Sequence, residues 1–114
     1  MSIAFISHSD CMLHEMEANH PECPGRLKSI NNIVLSSNFN VPLKYYDAPL
    51  ATHEQLCGAH DSEYVNQIFS NAPQVGVIRL DQDTTMNSHS LNAVLRASGA
   101  VVLGVDLVMT RQKN

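Results

Sequence analysis

The sequence has no basic patch: seven lysines and arginines are scattered among eleven acidic residues, giving a formal net charge of -4. Neutralising a phosphate backbone takes a patch or stripe of cations, so nucleic acid is not expected as a direct partner. No apolar run approaches the ~20 residues needed to cross a bilayer, and no basic region precedes a long apolar core at the N-terminus. The expectation is therefore no membrane association and no secretion. The cysteines, Cys11, Cys23 and Cys57, are odd in number and lack framework spacing, which suits a reducing compartment and points to the cytoplasm. There is no internal repeat, low-complexity tract or linker. There is also no Gly-x-Ser-x-Gly nucleophile turn and no glycine-rich phosphate loop. At 114 residues the chain suits one small domain or part of one.

What is present alternates between strand and helix patterns. Ser2 to Ser7 is β-branched and aromatic enough to open as a strand, and residues 8 to 26 follow as a long irregular loop. Pro24 sits where a first helical turn tolerates proline, and Leu27, Ile30, Ile33 and Val34 continue an amphipathic helix to about Ser37, ended by Asn38 and Asn40. Leu43 to Tyr46 reads as a short strand. Thr52 and Gln55 have capping-box spacing for a small helix that stops at Gly58. Asp61 can cap the next helix, whose stripe of Tyr64, Val65, Ile68, Phe69 and Ala72 closes at Pro73, and Val77 to Leu80 is another strand. From Ser88 or Ser90 to Met109, valines and leucines recur at helical spacing among small residues. Such a helix needs cover over most of its circumference, more than a chain of this length readily provides. The order predicts an α/β protein.

The segment from Asn19 to Arg26 concentrates a histidine, a carboxylate, two prolines and an arginine. Its prolines make it a stiff loop, the kind of place where function tends to sit. Cys11, His14, His20 and Cys23 have the residue types of a tetrahedral zinc clip, but small structural zinc sites organise chains that lack a core, and this spacing matches no familiar pattern. A loop held by His and carboxylate hydrogen bonds is the better reading. His60 and Tyr64, four apart, fit core packing with a satisfied polar tip better than a ligand pair. Asp81 and Asp83 follow a strand, where α/β folds place ligand loops, yet turn and cap chemistry uses the same residues. His53 and His89 are isolated.

His20-Pro21-Glu22-Cys23-Pro24-Gly25-Arg26, Ala48-Pro49-Leu50-Ala51-Thr52 leading to Leu56, His60-Asp61-x2-Tyr64-Val65, Leu80-Asp81-x-Asp83-Thr84 and the helix carrying Ala97-Ser98-Gly99-Ala100 occur in this order. Together they resemble the N-terminal portion of the histone deacetylase superfamily, on the side of its bacterial deacetylase-like and acetylpolyamine amidohydrolase-like members. The resemblance spans nearly the whole chain. It implies an arginase/deacetylase-type three-layer αβα fold, with residues 1–114 as a single incomplete α/β domain.

The resemblance also implies a zinc-dependent amidohydrolase that removes an acyl group from the amine of a lysine or polyamine, metal polarising the carbonyl and activating water. The family's paired histidines and zinc ligands lie beyond its long helix, so no catalytic residue and no metal ligand is expected within these residues, and the chain alone is expected to be inactive. Arg26 matches the motif arginine near an internal channel for product release, where its planar fork suits a carboxylate. The loop from Asp10 to Glu22, with His20 and Glu22, resembles one rim of the substrate entrance. Asp83, Ser88 and His89 resemble the other. Two alternatives stand beside this reading: a non-catalytic binding or assembly module of the same fold, and, more weakly, a small zinc-stabilised interaction domain. Self-association through the final helix is expected if the chain stands alone.

Overall fold

A computed structural model describes residues 2–16, 20–36, 40–81 and 84–110. The chain opens with strand β1 (Ile3–Ser7), makes one 3-10 turn at Ser9–Met12, and enters helix α1 (Pro24–Ser36) at the proline that the first turn of a helix accepts. Strand β2 (Leu43–Asp47) returns beside β1 in parallel, with Ile3 facing Leu43 and Ser7 facing Asp47. These elements form a β-α-β unit, and both loops leaving its strands emerge at the same, carboxyl edge. The 3-10 turn was not anticipated in the long loop. It forms because the ring of His8 accepts the backbone N–H of Asp10 at 3.0 Å, which caps the turn.

Helix α2 (His53–Cys57) carries the anticipated capping box: Thr52 accepts from the Gln55 N–H at 3.0 Å, while the Gln55 amide oxygen takes the Thr52 N–H at 2.9 Å. Helix α3 (Ser62–Asn71) starts from Asp61, whose carboxylate accepts the Glu63 N–H at 3.1 Å. Gly76, at φ +71, turns the chain into β3 (Val77–Asp81). The next element departs from the sequence expectation. Thr84–Asn87 is a strand, β4, antiparallel to β3, with Val77 facing Asn87 and a register shift that brings Asp81 opposite Thr84.

Helix α4 (Ser90–Thr110) spans 21 residues. It packs on β1, β4 and the 3-10 turn, and its Ser90, Ala93, Leu95, Gly99 and Leu107 are buried. By length and composition it is apolar enough to cross a membrane, which corrects the view that no stretch approaches that size. The small residues Ala93, Ala97, Gly99, Ala100 and Gly104 add to its apolar character, and Arg96 and Asp106 are the only charged residues within Ser90–Thr110. Much of its other side is uncovered, with Val101 67% and Val108 70% exposed. The apolar core is correspondingly small: Ala48, Ala51, Val65, Met86, Ala93, Leu95 and Leu107 are its buried members.

Candidate functional site

The loop after β1 and the start of α4 form the most densely bonded polar region among the described residues. Asn87 Nδ2 donates to the Leu13 carbonyl at 2.9 Å, and Ser90 Oγ meets His14 Nδ1. The Cys11 thiol points to the Ala93 carbonyl at 3.7 Å, and Arg96 Nε donates to Asp10 Oδ2 at 3.1 Å. The two segments that the sequence assigns to opposite rims of an entrance, Asp10 to Glu22 and Asp83 to His89, are thus joined through Leu13, His14, Asn87 and Ser90.

Ser90 is the hub of that junction and is only 1% exposed. Its oxygen accepts the Asn87 N–H at 2.9 Å and its proton goes to Asn87 Oδ1 at 3.0 Å. A hydroxyl has one proton and two lone pairs. The remaining lone pair is left for His14 Nδ1, which suits the tautomer that carries its proton there. Asn87 Oδ1 also accepts the His89 N–H at 3.0 Å, so one asparagine side chain organises the turn that starts α4.

The motif loop carries local contacts of its own. His20 Nδ1 accepts the Glu22 N–H at 3.0 Å, and Arg26 Nη2 pairs with Glu22 Oε1 at 3.2 Å four residues away, both side chains about half exposed. Ser88 and His89 lie exposed in the turn between β4 and α4. Asp83 falls outside the described residues, as does the side chain of Asp81. Sequence reasoning passed over Asn87, Arg96 and the pairing role of Asp10. The Asn-x-x-Ser spacing before a helix was a usable signal for the first, and a lone cation in an apolar helix for the second.

The candidate zinc clip does not fit a metal. His14 is committed to Ser90, Cys11 to the Ala93 carbonyl and His20 Nδ1 to the Glu22 amide. No group of three or more potential ligands converges among the described residues. Cys57 and His53 are neighbours, but the sulfur lies 3.5 Å from Nδ1 and 3.9 Å from Nε2. A thiol on the Nδ1 lone-pair axis would be much further from the other nitrogen, so the sulfur sits across the ring and the pair is not poised as nucleophile and base. His53 Nε2 instead meets Asn66 Oδ1 at 2.7 Å, tying α2 to α3. His60 and Tyr64 stack at a tilt with ring centroids 6.1 Å apart.

Between α3, β4 and α4 lies an open cavity of about 300 Å³, lined mainly by apolar side chains including Val65, Phe69, Met86 and Leu95. Thr85 borders it, and its buried hydroxyl has no hydrogen-bond partner.

Burial pushes the Cys11 thiol above its ordinary value of 9.0, the nearby Asp10 carboxylate adding to the rise and Arg96 opposing it. The folded state therefore holds the thiol proton more tightly than the unfolded chain does. The stability this contributes is intact below the unfolded value and is lost as pH rises through the folded one. In iodoacetamide labelling at about pH 8, Cys11 is expected to react last, well behind the exposed Cys23, because the thiolate is the nucleophile. Peptide mass mapping over time checks this, and equal rates at the two positions would refute it.

Against this geometry, comparisons with known proteins agree. The solved histone deacetylase (HD) domain of HDA15 superposes with a TM-score of 0.79 at 26% identity, over 100% of this chain and 34% of that one. An uncharacterized protein of Synechocystis sp., slr0245, is 27% identical over 97% of this chain and 37% of its own length. The chain thus spans little more than a third of either, and the solved domain it superposes on has the arginase/deacetylase α/β fold. The histone deacetylase domain profile matches residues 20–114, and on that match the chain belongs to the histone deacetylase domain family.

Proposed function

We propose that these residues form the N-terminal part of a zinc-dependent amidohydrolase that removes an acyl group from the amine of a lysine or polyamine. They supply scaffold and substrate entrance, while the metal and its ligands come from outside them. The domain match over residues 20–114 carries this reading. The joining of the loop after β1 to the turn before α4 supports an entrance there, since ligands of α/β folds bind outside the carboxyl ends of parallel strands. Arg26 retains its proposed role toward a carboxylate product, and His20, Glu22, Asp83, Ser88 and His89 theirs as rim. The three free thiols suit a cytoplasmic setting.

The test compares two proteins with an acetyl-lysine reporter and an acetylated polyamine. The chain alone is expected to show no metal-dependent turnover. A polypeptide of the relatives' length that begins with this sequence is expected to turn over one of the two substrates and to lose activity to a chelator. Stoichiometric zinc with metal-dependent deacetylation by the chain alone would overturn the division of labour. A folded, inert longer form would overturn the activity.

A second reading, an assembly module without catalysis, is favoured by one observation: Val101, Val105, Val108 and Met109 form an exposed apolar stripe on α4. Standing alone, the chain is expected to cover that stripe with a second copy. Light scattering should then report a dimer or larger species that Val105→Lys returns to monomer. A monomer without the substitution would rule it out.

A further inference from the structure

We propose that Arg96 is the latch that positions the loop between β1 and α1, and with it the substrate entrance. The placement of the latch is independent of function, whereas its effect on substrate rests on the deacetylase reading above.

Arg96 is the only cation among the described residues of α4, and it lies on the packed side, its side chain 23% exposed. Its planar fork is split between two loops. Nε donates to Asp10 Oδ2 at 3.1 Å in the loop after β1, and Nη1 donates to the Ala48 carbonyl at 2.9 Å in the loop after β2. Ala48 is itself fixed, 1% exposed and donating its N–H to the Ser7 carbonyl at 2.8 Å as the parallel pair ends. One guanidinium therefore ties Asp10 to a buried, hydrogen-bonded point at the carboxyl edge of the β-α-β unit. That edge is where α/β proteins bind ligands.

The chemistry of the contact selects arginine. Two donors at a fixed separation reach a carboxylate and a carbonyl at once, whereas a lysine ammonium is a single point that serves one or the other. The carboxylate contact is charge-assisted and the pair is about three-quarters covered, so it holds better than a surface ion pair. Asp10 also stands within the 3-10 turn that its own N–H and the His8 ring define, so fixing Asp10 fixes the turn. From there the loop runs toward His14 and the motif segment.

The measurement is amide hydrogen exchange on the chain, comparing it with Arg96→Lys. Exchange at Asp10, Cys11 and Leu13, whose N–H groups are bonded within the turn, is expected to rise about tenfold, while strand amides at Phe5 and Tyr46, which the parallel register turns toward the partner strand, stay unchanged. Unchanged turn amides would overturn the latch. An equal rise in turn and strand amides would also overturn it, because Arg96 would then be a general stability residue. In the longer form, Arg96→Lys is expected to raise KM for the acetyl-lysine reporter about tenfold with kcat within about twofold. A fall in kcat at constant KM would overturn the positioning role. If the longer form without the substitution is inert, the deacetylase reading fails and the exchange result still decides the latch.

Discussion

Gly99→Ala is expected to destabilise the chain by about 3 kcal/mol, although the same substitution inside an ordinary helix stabilises by up to about 1 kcal/mol. A Cβ at Gly99 would stand 1.9 Å from the Pro49 carbonyl oxygen and 2.7 Å from its carbon. Those are backbone atoms, so no side chain can rotate away. The contact is close because the Ala51 N–H donates to the Leu95 carbonyl at 2.9 Å, bringing the loop after β2 directly onto the helix backbone. A methyl group would break that bond and lift buried Ala48 and Ala51 from their sites. Gly104→Ala is the internal control, since its Cβ would meet only the Ile6 side-chain tip at 3.6 Å, an ordinary contact. In urea unfolding the two variants should move in opposite directions. A Gly99→Ala chain as stable as the parent would show that loop and helix do not approach this closely.

Much of this architecture is visible in the residues themselves. Pro24 announces α1, Thr52 with Gln55 announces α2, and Asp61 announces α3, because capping chemistry is local and each partner lies within a few positions. Strand β4 is not announced. Thr84–Asn87 is four residues long, its register with β3 is shifted, and its Thr, Met and Asn residues read equally well as a turn. The periodicity of α4 gives its length correctly, but not which apolar residues are covered. Leu95 and Val101 are both read into that pattern, yet one is buried and the other largely exposed.

The site was legible in part, for the same reason. The stiffness of the His20 to Arg26 segment follows from its prolines, and the bonds that Glu22 makes with His20 and Arg26 span no more than four residues. The contacts that join the two loop regions are another matter. Arg96 and Asp10 are 86 positions apart, His14 and Ser90 are 76 apart, and neither pair leaves a periodic trace. Such pairs appear only once β1, α1 and β2 bring the loop after β1 under α4. The zinc clip failed on the same ground: its residues have suitable chemistry, but the fold turns Cys11, His14 and His20 to different partners.

Ser90→Ala is the second large effect expected, a loss of about 2 kcal/mol that falls on the junction of the two loop regions. The hydroxyl is buried and saturated, taking the Asn87 N–H, giving its proton to Asn87 Oδ1 and meeting His14. Alanine fits the space, so little of the loss comes from packing. It comes from leaving the Asn87 amide and the His14 nitrogen without a partner away from water, where each unsatisfied group costs about 1–3 kcal/mol. Because both depend on one atom, the effects should not add: in a double-mutant cycle, His14→Phe should cost clearly less in the Ser90→Ala background than alone. Additive costs would mean that His14 and Ser90 act independently, and a Ser90→Ala loss below about 0.5 kcal/mol would place the hydroxyl among ordinary surface groups. The cycle therefore separates a helix start that is merely capped from one that also holds the loop after β1, which is what an entrance built from two distant segments requires.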